Sequence, residues 1–207
     1  ISNPYDLVGA PFGGVFISDG GYNAVLRVTP RGQVYEYATF PSRKISPDSQ
    51  IEGGPQTMDV VPTGLAYGPD GALYVASFTG FPYPNEAAHV YRVEDQNGDG
   101  DGLDDGETTV YASGFSVATS VAFEDDGGLL VTEYSTDMFR LVRHEGGVEH
   151  AEKVTGRLVR WQNGEIEVLA EDLVSPTSVV VREGKALVVE QFAGRVTEIS
   201  LNNNVWQ

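Results

Sequence analysis

The sequence predicts an all-β protein, a β-propeller with four recognisable four-stranded blades, and three observations carry that expectation. A short segment recurs as Pro4-Tyr-Asp-Leu-Val8, Pro62-Thr-Gly-Leu-Ala66, Ala118-Thr-Ser-Val-Ala122 and Pro176-Thr-Ser-Val-Val180, with starting points 58, 56 and 58 residues apart. A fixed spacing of this kind marks an array of structural repeats, here slightly longer than most radial β repeats. About ten residues after each copy comes an apolar run that ends in a polar or acidic residue: Val15-Phe-Ile-Ser-Asp19, Leu73-Tyr-Val-Ala-Ser77, Leu129-Leu-Val-Thr-Glu133 and Leu187-Val-Val-Glu190. These runs are short, rich in β-branched and aromatic residues and bounded by Gly and Asp, which is the pattern of strands.

Each repeat continues in the same order. A third segment carries a basic residue, as in Val25-Leu-Arg-Val28, Val90-Tyr-Arg-Val93 and Leu158-Val-Arg-Trp161. A fourth closes the unit, as in Val34-Tyr-Glu-Tyr-Ala38, Val110-Tyr-Ala112 and Ile166-Glu-Val-Leu-Ala170. Turns such as Pro69-Asp-Gly71, Asp126-Gly-Gly128 and Asn163-Gly164 join them, so each unit reads as one antiparallel blade. The blades fall at about 1–58, 59–115, 116–173 and 174–207, and the last has no convincing fourth strand. Small residues in the first segment (Thr63, Gly64, Thr119, Ser120) suit strands crowded round an axis. A sandwich needs no repeated sequence, and parallel β-helices use much shorter periods.

Four blades make either a complete small ring or part of a larger one, since propellers have about four to eight blades. The start at Ile1, without Met or a signal sequence, reads as a processed or partial chain with blades upstream. The stretch from Val61 to Pro84, continuing to His89-Val-Tyr-Arg-Val93, resembles the ScyD/ScyE family of secreted bacterial propellers. So does Asn3-Pro-Tyr-Asp-Leu-Val8 followed by Asp19 to Val28. The resemblance covers blades one and two. It implies NHL-like repeats, a place in the C-terminal part of a six-bladed ring, and a secreted or periplasmic location, but no reaction.

Composition narrows the partners. The net charge is −17, from 30 acidic against 13 basic residues, with Lys only at 44, 153 and 185. That balance argues against nucleic acid and anionic membranes, both of which are recognised by Lys and Arg. It fits a salt-adapted or solubility-selected surface. No cysteine is present, so neither disulfides nor thiolate chemistry contribute. No run approaches the roughly 20 apolar residues that span a bilayer.

The sharpest chemical motif is Asp95-Gln-Asn-Gly-Asp-Gly-Asp-Gly-Leu-Asp-Asp-Gly-Glu107, between the third and fourth strands of blade two. Alternating side-chain oxygens on a Gly-rich loop wrap a hard cation such as Ca2+. The favoured register takes Asn97, Asp99, Asp101 and Asp105 as loop positions one, three, five and nine, with the Leu103 carbonyl at seven. It leaves Thr108 where a full EF-hand has its bidentate Glu. A second register starts at Asp95 with Gly100 in the turn. The competing reading is a solvated acidic hairpin tip, against which five carboxylates between Asp95 and Asp105 would repel one another without a counter-ion. The expected role of the ion is structural.

Other candidates are weaker. Asp19, Ser77, Glu133 and Glu190 share one rung of the four repeats. Carboxylates converging on an axis hold a divalent metal in the gluconolactonase and regucalcin-like propellers that these repeats distantly resemble, but a repeated position is better explained by repeated architecture. Asp6 is distinctive because the other repeats place Gly64, Ser120 and Ser178 there. His89, His144 and His150 show no metal-hydrolase spacing. Two insertions stand out: Pro41 to Val61, and the aromatic connection Phe78-Thr-Gly-Phe-Pro-Tyr-Pro84, which serves either as a ligand platform or as packing against the next blade.

The expectation is therefore a non-catalytic extracellular binding or structural module with a calcium-stabilised hairpin, taking a protein, small molecule or glycan on one face. The alternatives are a lactonase, lyase or sugar-dehydrogenase type of propeller enzyme with Asp6, Glu133 and Glu190 near a central metal, or a subunit of a larger surface assembly in which other chains complete or cap the ring.

Overall fold

The computed structural model describes residues 1–140 and 155–201. Blade one is β1 (Pro4–Gly9), β2 (Val15–Asp19), β3 (Ala24–Val28) and β4 (Val34–Thr39), hydrogen-bonded in that order. A small sheet of β5 (Arg43–Lys44) and β6 (Thr57–Met58) follows, enclosing a 3-10 turn at Pro47–Ser49. Blade two is β7 (Pro62–Tyr67), β8 (Leu73–Ser77), β9 (Ala88–Val93) and β10 (Thr108–Phe115). Blade three is β11 (Ala118–Phe123), β12 (Leu129–Glu133), β13 (Thr155–Gln162) and β14 (Glu165–Val174). Blade four contributes β15 (Pro176–Arg182), β16 (Lys185–Glu190) and β17 (Arg195–Ser200). The four recurring segments are thus the first strands β1, β7, β11 and β15, and these strands contact one another in succession along the arc.

The insertion of 41–61 is ordered through backbone pairing with the aromatic connection of blade two. Phe78, Thr79 and Gly80 donate N–H groups to the carbonyls of Val61, Val60 and Asp59. Arg43 adds a side-chain bond to the Ala87 carbonyl at 2.8 Å.

Each joint between successive blades is one apolar layer. Phe16, Val25 and Tyr37 of blade one meet Leu65, Val75 and Tyr91 of blade two. Tyr74, Val90 and Phe115 meet Val121, Val131 and Val159 at the next joint. Leu130, Leu158 and Leu173 meet Val179, Ala186 and Val188 at the third. Each side chain so buried contributes about 1.5–3 kcal/mol. The central blades are covered on both faces, which is why β8 and β12 are buried at every position and read as continuous rather than alternating apolar runs. We call the face a blade turns to its predecessor its leading face and the opposite one its trailing face.

Hydrogen bonds lock the first strands together. The Thr63 hydroxyl donates to the Ala118 carbonyl at 2.9 Å, and Thr119 repeats the bond to Pro176 at 2.8 Å. In the opposite sense, Asp6 Oδ2 accepts the Leu65 N–H at 2.9 Å and Ser120 Oγ accepts that of Val179 at 3.3 Å. Blade one has Tyr5 at the threonine position, and its hydroxyl reaches the Thr177 carbonyl of blade four at 3.1 Å. Gly64 sits where the strands approach most closely, because a Cβ there would lie 2.5 Å from Ser120 Cα.

Gly64→Ala is therefore expected to push blades two and three apart and lower stability by about 1–3 kcal/mol, read as a reduced urea midpoint. An unchanged midpoint would contradict the close approach.

Candidate functional site

The first strands and the loops beyond β8, β12 and β16 converge on a cavity in two parts. One part, about 260 Å3, is walled mainly by Tyr5, Phe78, Tyr83, Tyr134 and Met138. The other, about 380 Å3, is polar and lined by Asp6, Ser120 and Ser178, with Tyr5, Thr177 and Gln191 shared between the two. The aromatic wall is a connected set: Phe78 stands edge-on to Tyr83 at 5.9 Å and to Tyr134 at 5.7 Å, and Tyr83 meets Phe81 at 6.1 Å. The connection that supplies it adopts left-handed backbone at Thr79 (φ 72°) and Tyr83 (φ 59°), a conformation that non-glycine residues hold only when their surroundings impose it. This connection both packs against blade three through Tyr134 and offers Phe81 to solvent.

Two residues of β1 give the cavity its chemistry. Desolvation, then the nearby Asp6 carboxylate and Tyr134, push the Tyr5 phenol up to about 12, so it stays a neutral donor. Among the described residues Asp6 is the one carboxylate in the cavity lining, and it also clasps the N–H groups of Leu7 and Leu65.

The rung residues lie elsewhere. Asp19, Glu133 and Glu190 are fully buried inside their own blades. Glu133 accepts the Ser116 N–H at 2.5 Å and pairs with Arg157. Glu190 accepts the Val174 N–H at 2.6 Å and binds Arg195 through both oxygens at 2.7 and 2.9 Å. Asp19 accepts N–H groups from Asn3, Gly21 and Tyr22. Burial alone would raise the Asp19 carboxyl, and these bonds with that of Ser2 hold it low instead. In blades one, three and four these carboxylates staple the second strand to the chain entering the first, whereas Ser77 of blade two bonds the His89 backbone of β9 instead, and none of the three carboxylates lines the cavity. Burial, then Arg43, lowers the His89 imidazole to about 4, so it is neutral near pH 7. His144 and His150 lie outside the described residues.

The acidic loop is held by hydrogen bonds of its own. Asp95 anchors it, accepting N–H groups from Gly98 at 2.6 Å and Gly100 at 2.9 Å. Asn97, Asp99 and Asp101 each accept the N–H two residues on, a succession of Asx turns. Glu107, buried at the far end, accepts the N–H groups of Gln96, Asn97 and Asp104. These hydrogen bonds tie the loop together from Asp95 to Glu107. The Asp101 Oδ2 and both Asp105 oxygens make no hydrogen bond among the described residues, while Leu103 is exposed. No three His, Cys, Asp or Glu side chains converge on a metal-sized point among the described residues. The loop is also no free tip, because Gly102 donates to the Tyr37 carbonyl of blade one at 2.7 Å.

Fold and cavity together define a β-propeller with a loop-built site at one end of its first strands. Residues 54–165, more than half of the chain, match the profile of a family described as a domain of unknown function (DUF7133), and the chain belongs to that family. Among solved structures it is similar to the virginiamycin B lyase of Staphylococcus aureus, at 17% identity and TM-score 0.51, over 96% of this chain and 55% of that one. It is also similar to a putative gluconolactonase (16%, TM-score 0.58, 99% and 61%) and to a gluconolactonase from Xanthomonas campestris (14%, TM-score 0.55, 95% and 56%). These likenesses show the fold alone. The chain spans little more than half the length of the propellers named. No curated protein matches it in sequence.

The Arg195 pairing first, and then the Thr197 hydroxyl and Val174 N–H against opposing burial, hold Glu190 at about 2 rather than its ordinary 4.5. A carboxyl lowered on folding stabilises above its unfolded value and loses that contribution as pH falls through the folded one. Glu190→Gln is expected to reduce the urea midpoint at neutral pH, with the gap to the parent closing between pH 4.5 and 2. A gap that persists unchanged at pH 2 would show that the ion pair is not its source.

Proposed function

We propose that this chain is a non-catalytic extracellular binding module that takes a neutral sugar ring, such as the end of a glycan, in the cavity over its first strands. The observation that carries the reading is the division of that cavity into an aromatic half and a polar half that share Tyr5, Thr177 and Gln191. Aromatic faces cover the apolar C–H surface of a sugar, and a few fixed polar groups then select its hydroxyls. Tyr134 and Tyr83 suit the first task, and Asp6, Ser178 and Gln191 the second. The enzyme reading needs several ligands or an acid and base together at the axis. Asp6 alone favours it, since Glu133 and Glu190 are committed to Arg157 and Arg195. The resemblance of blades one and two to ScyD/ScyE propellers supports export.

The acidic hairpin holds Ca2+ in this proposal. In support, the Asx turns prearrange side-chain oxygens along one strand of loop, and Asp101 and Asp105 retain oxygens without hydrogen bonds, toward the about six to eight that Ca2+ takes. The ion would fix the loop across the first joint, where it already meets Tyr37.

Saturation-transfer NMR with a series of neutral mono- and oligosaccharides tests the site. Binding of at least one sugar is expected, weakened roughly ten-fold by Tyr134→Ala and by Asp6→Asn. No transfer from any sugar, or binding indifferent to both changes, would overturn the assignment. Calorimetric titration of Ca2+ into EDTA-treated protein is expected to show one site, lost in Asp95→Ala. Heats no larger than dilution would remove the ion from the account.

A further inference from the structure

The third strands of blades one, two and three carry an arginine at the same place, and among the described residues only that of blade one has no carboxylate partner. Arg27, Arg92 and Arg160 stand cross-strand from Phe16, Tyr74 and Leu130. Arg92 pairs with Asp70 at 2.7 Å and Glu94 at 2.8 Å, and Arg160 pairs with Glu124 and Glu167. The positions of blade one that match these four partners hold Phe12, Thr29, Ala10 and Tyr35. The one hydrogen bond that Arg27 makes among the described residues is long, 3.5 Å from Nη1 to the Gly100 carbonyl.

Arg27 lines a cavity of about 270 Å3 in the first joint, beside the turns that join β1 to β2 and β7 to β8. Its walls are the trailing face of blade one, with Phe16 and Tyr37, and the leading face of blade two, with Tyr67 and Leu73. Arg27 Nε and the Tyr67 hydroxyl are both buried, and neither has a hydrogen-bond partner among the described residues. Burial raises the Tyr67 phenol against the opposing pull of Arg27, so the hydroxyl keeps its proton. Buried donors are costly to leave unpaired, so two in one cavity call for an acceptor between them. The cavity is several times the roughly 30 Å3 that one water takes up in the liquid, so it has room for more than a bridging water.

Carboxylates of blade two share the lining. Asp95 is occupied by the N–H groups of Gly98 and Gly100, and Glu94 binds Arg92 through Oε2, but Glu94 Oε1 has no hydrogen bond among the described residues. A simple anion would meet these carboxylates on a chain of net charge −17, and a simple amine would leave Arg27 and Tyr67 unpaired. We propose that this cavity binds a free α-amino acid with an apolar side chain. Its carboxylate accepts from Arg27 Nε and the Tyr67 hydroxyl, its ammonium donates to Glu94, and its side chain packs along Phe16 and Leu73. Such a molecule presents both charges and no net charge, so it answers each side of the cavity through charge-assisted hydrogen bonds without adding to the negative field of the chain.

Amide shift perturbation in the isotope-labelled 207-residue chain tests this, comparing phenylalanine and leucine with phenylpropionate, which lacks the ammonium, and phenylethylamine, which lacks the carboxylate. At least one of the two amino acids is expected to move the amides of Gly71, Val93 and Asp95, and to bind roughly ten-fold more tightly than either analogue. Tyr67→Phe, which removes the hydroxyl and keeps the ring, is expected to weaken that binding about ten-fold. Tyr35→Glu gives Arg27 the cross-strand carboxylate that Arg160 has in Glu167, and is expected to weaken binding by at least as much. The spectrum of each variant also reports whether it is folded. Movement of these amides by neither amino acid would overturn the proposal and leave the two donors to water. Phenylpropionate binding as tightly as phenylalanine, or amino-acid binding indifferent to both substitutions, would overturn it as well.

Discussion

The close approach of the first strands is the constraint on which the rest of this structure depends. Thr63 and Thr119 each cross to the next blade, Ser120 and Asp6 return a bond in the other direction, and Gly64 leaves room for Ser120. These contacts set the spacing at which whole sheets meet, and the apolar layers pack outside them. The rung carboxylates of blades one, three and four serve the same end, tying the second strand to the incoming chain. They are expensive groups to bury, and Arg157 and Arg195 with nearby N–H groups compensate them.

The site arises where the repeat is broken. Identical blades would place Thr and a small residue at every first strand, leaving a small-residue lining at the axis. Tyr5 and Asp6 replace that pair in blade one, which adds a ring, a donor and a carboxylate at one point. The aromatic connection of blade two and Tyr134 of blade three then wall the space from the other side. Function on a repeat scaffold lives in such departures from the repeat, because the repeated positions are already spent on architecture.

Much of this was legible beforehand. The four recurring segments mark the starts of β1, β7, β11 and β15, since inner-strand packing constrains them to small and β-branched residues at fixed spacing. The structural role of Glu133 and Glu190 followed from their repetition. The singularity of Asp6 was visible, and the same comparison picks out Tyr5 against Thr63, Thr119 and Thr177. The cavity itself was not legible, because Tyr134, Met138 and Gln191 sit in loops far apart in sequence and meet through the curvature of the arc. The hydrogen bonding within the acidic loop was not legible either, because spacing alone does not show that Asp95 takes the N–H groups of Gly98 and Gly100 or that Glu107 is buried at the far end.

The central claim, that hydrogen bonds between first strands couple the blades into one unit, is tested most directly by native-state hydrogen exchange on Thr119→Val. This change removes the hydroxyl that bridges to Pro176 at 2.8 Å and that also meets Thr132 of its own blade at 3.0 Å, while keeping the side chain's shape. The account predicts a concerted loss of amide protection in β7, β11 and β15, since the three strands hold one another in place. Loss confined to the amides beside residue 119, with β7 and β15 as protected as in the parent, would contradict it.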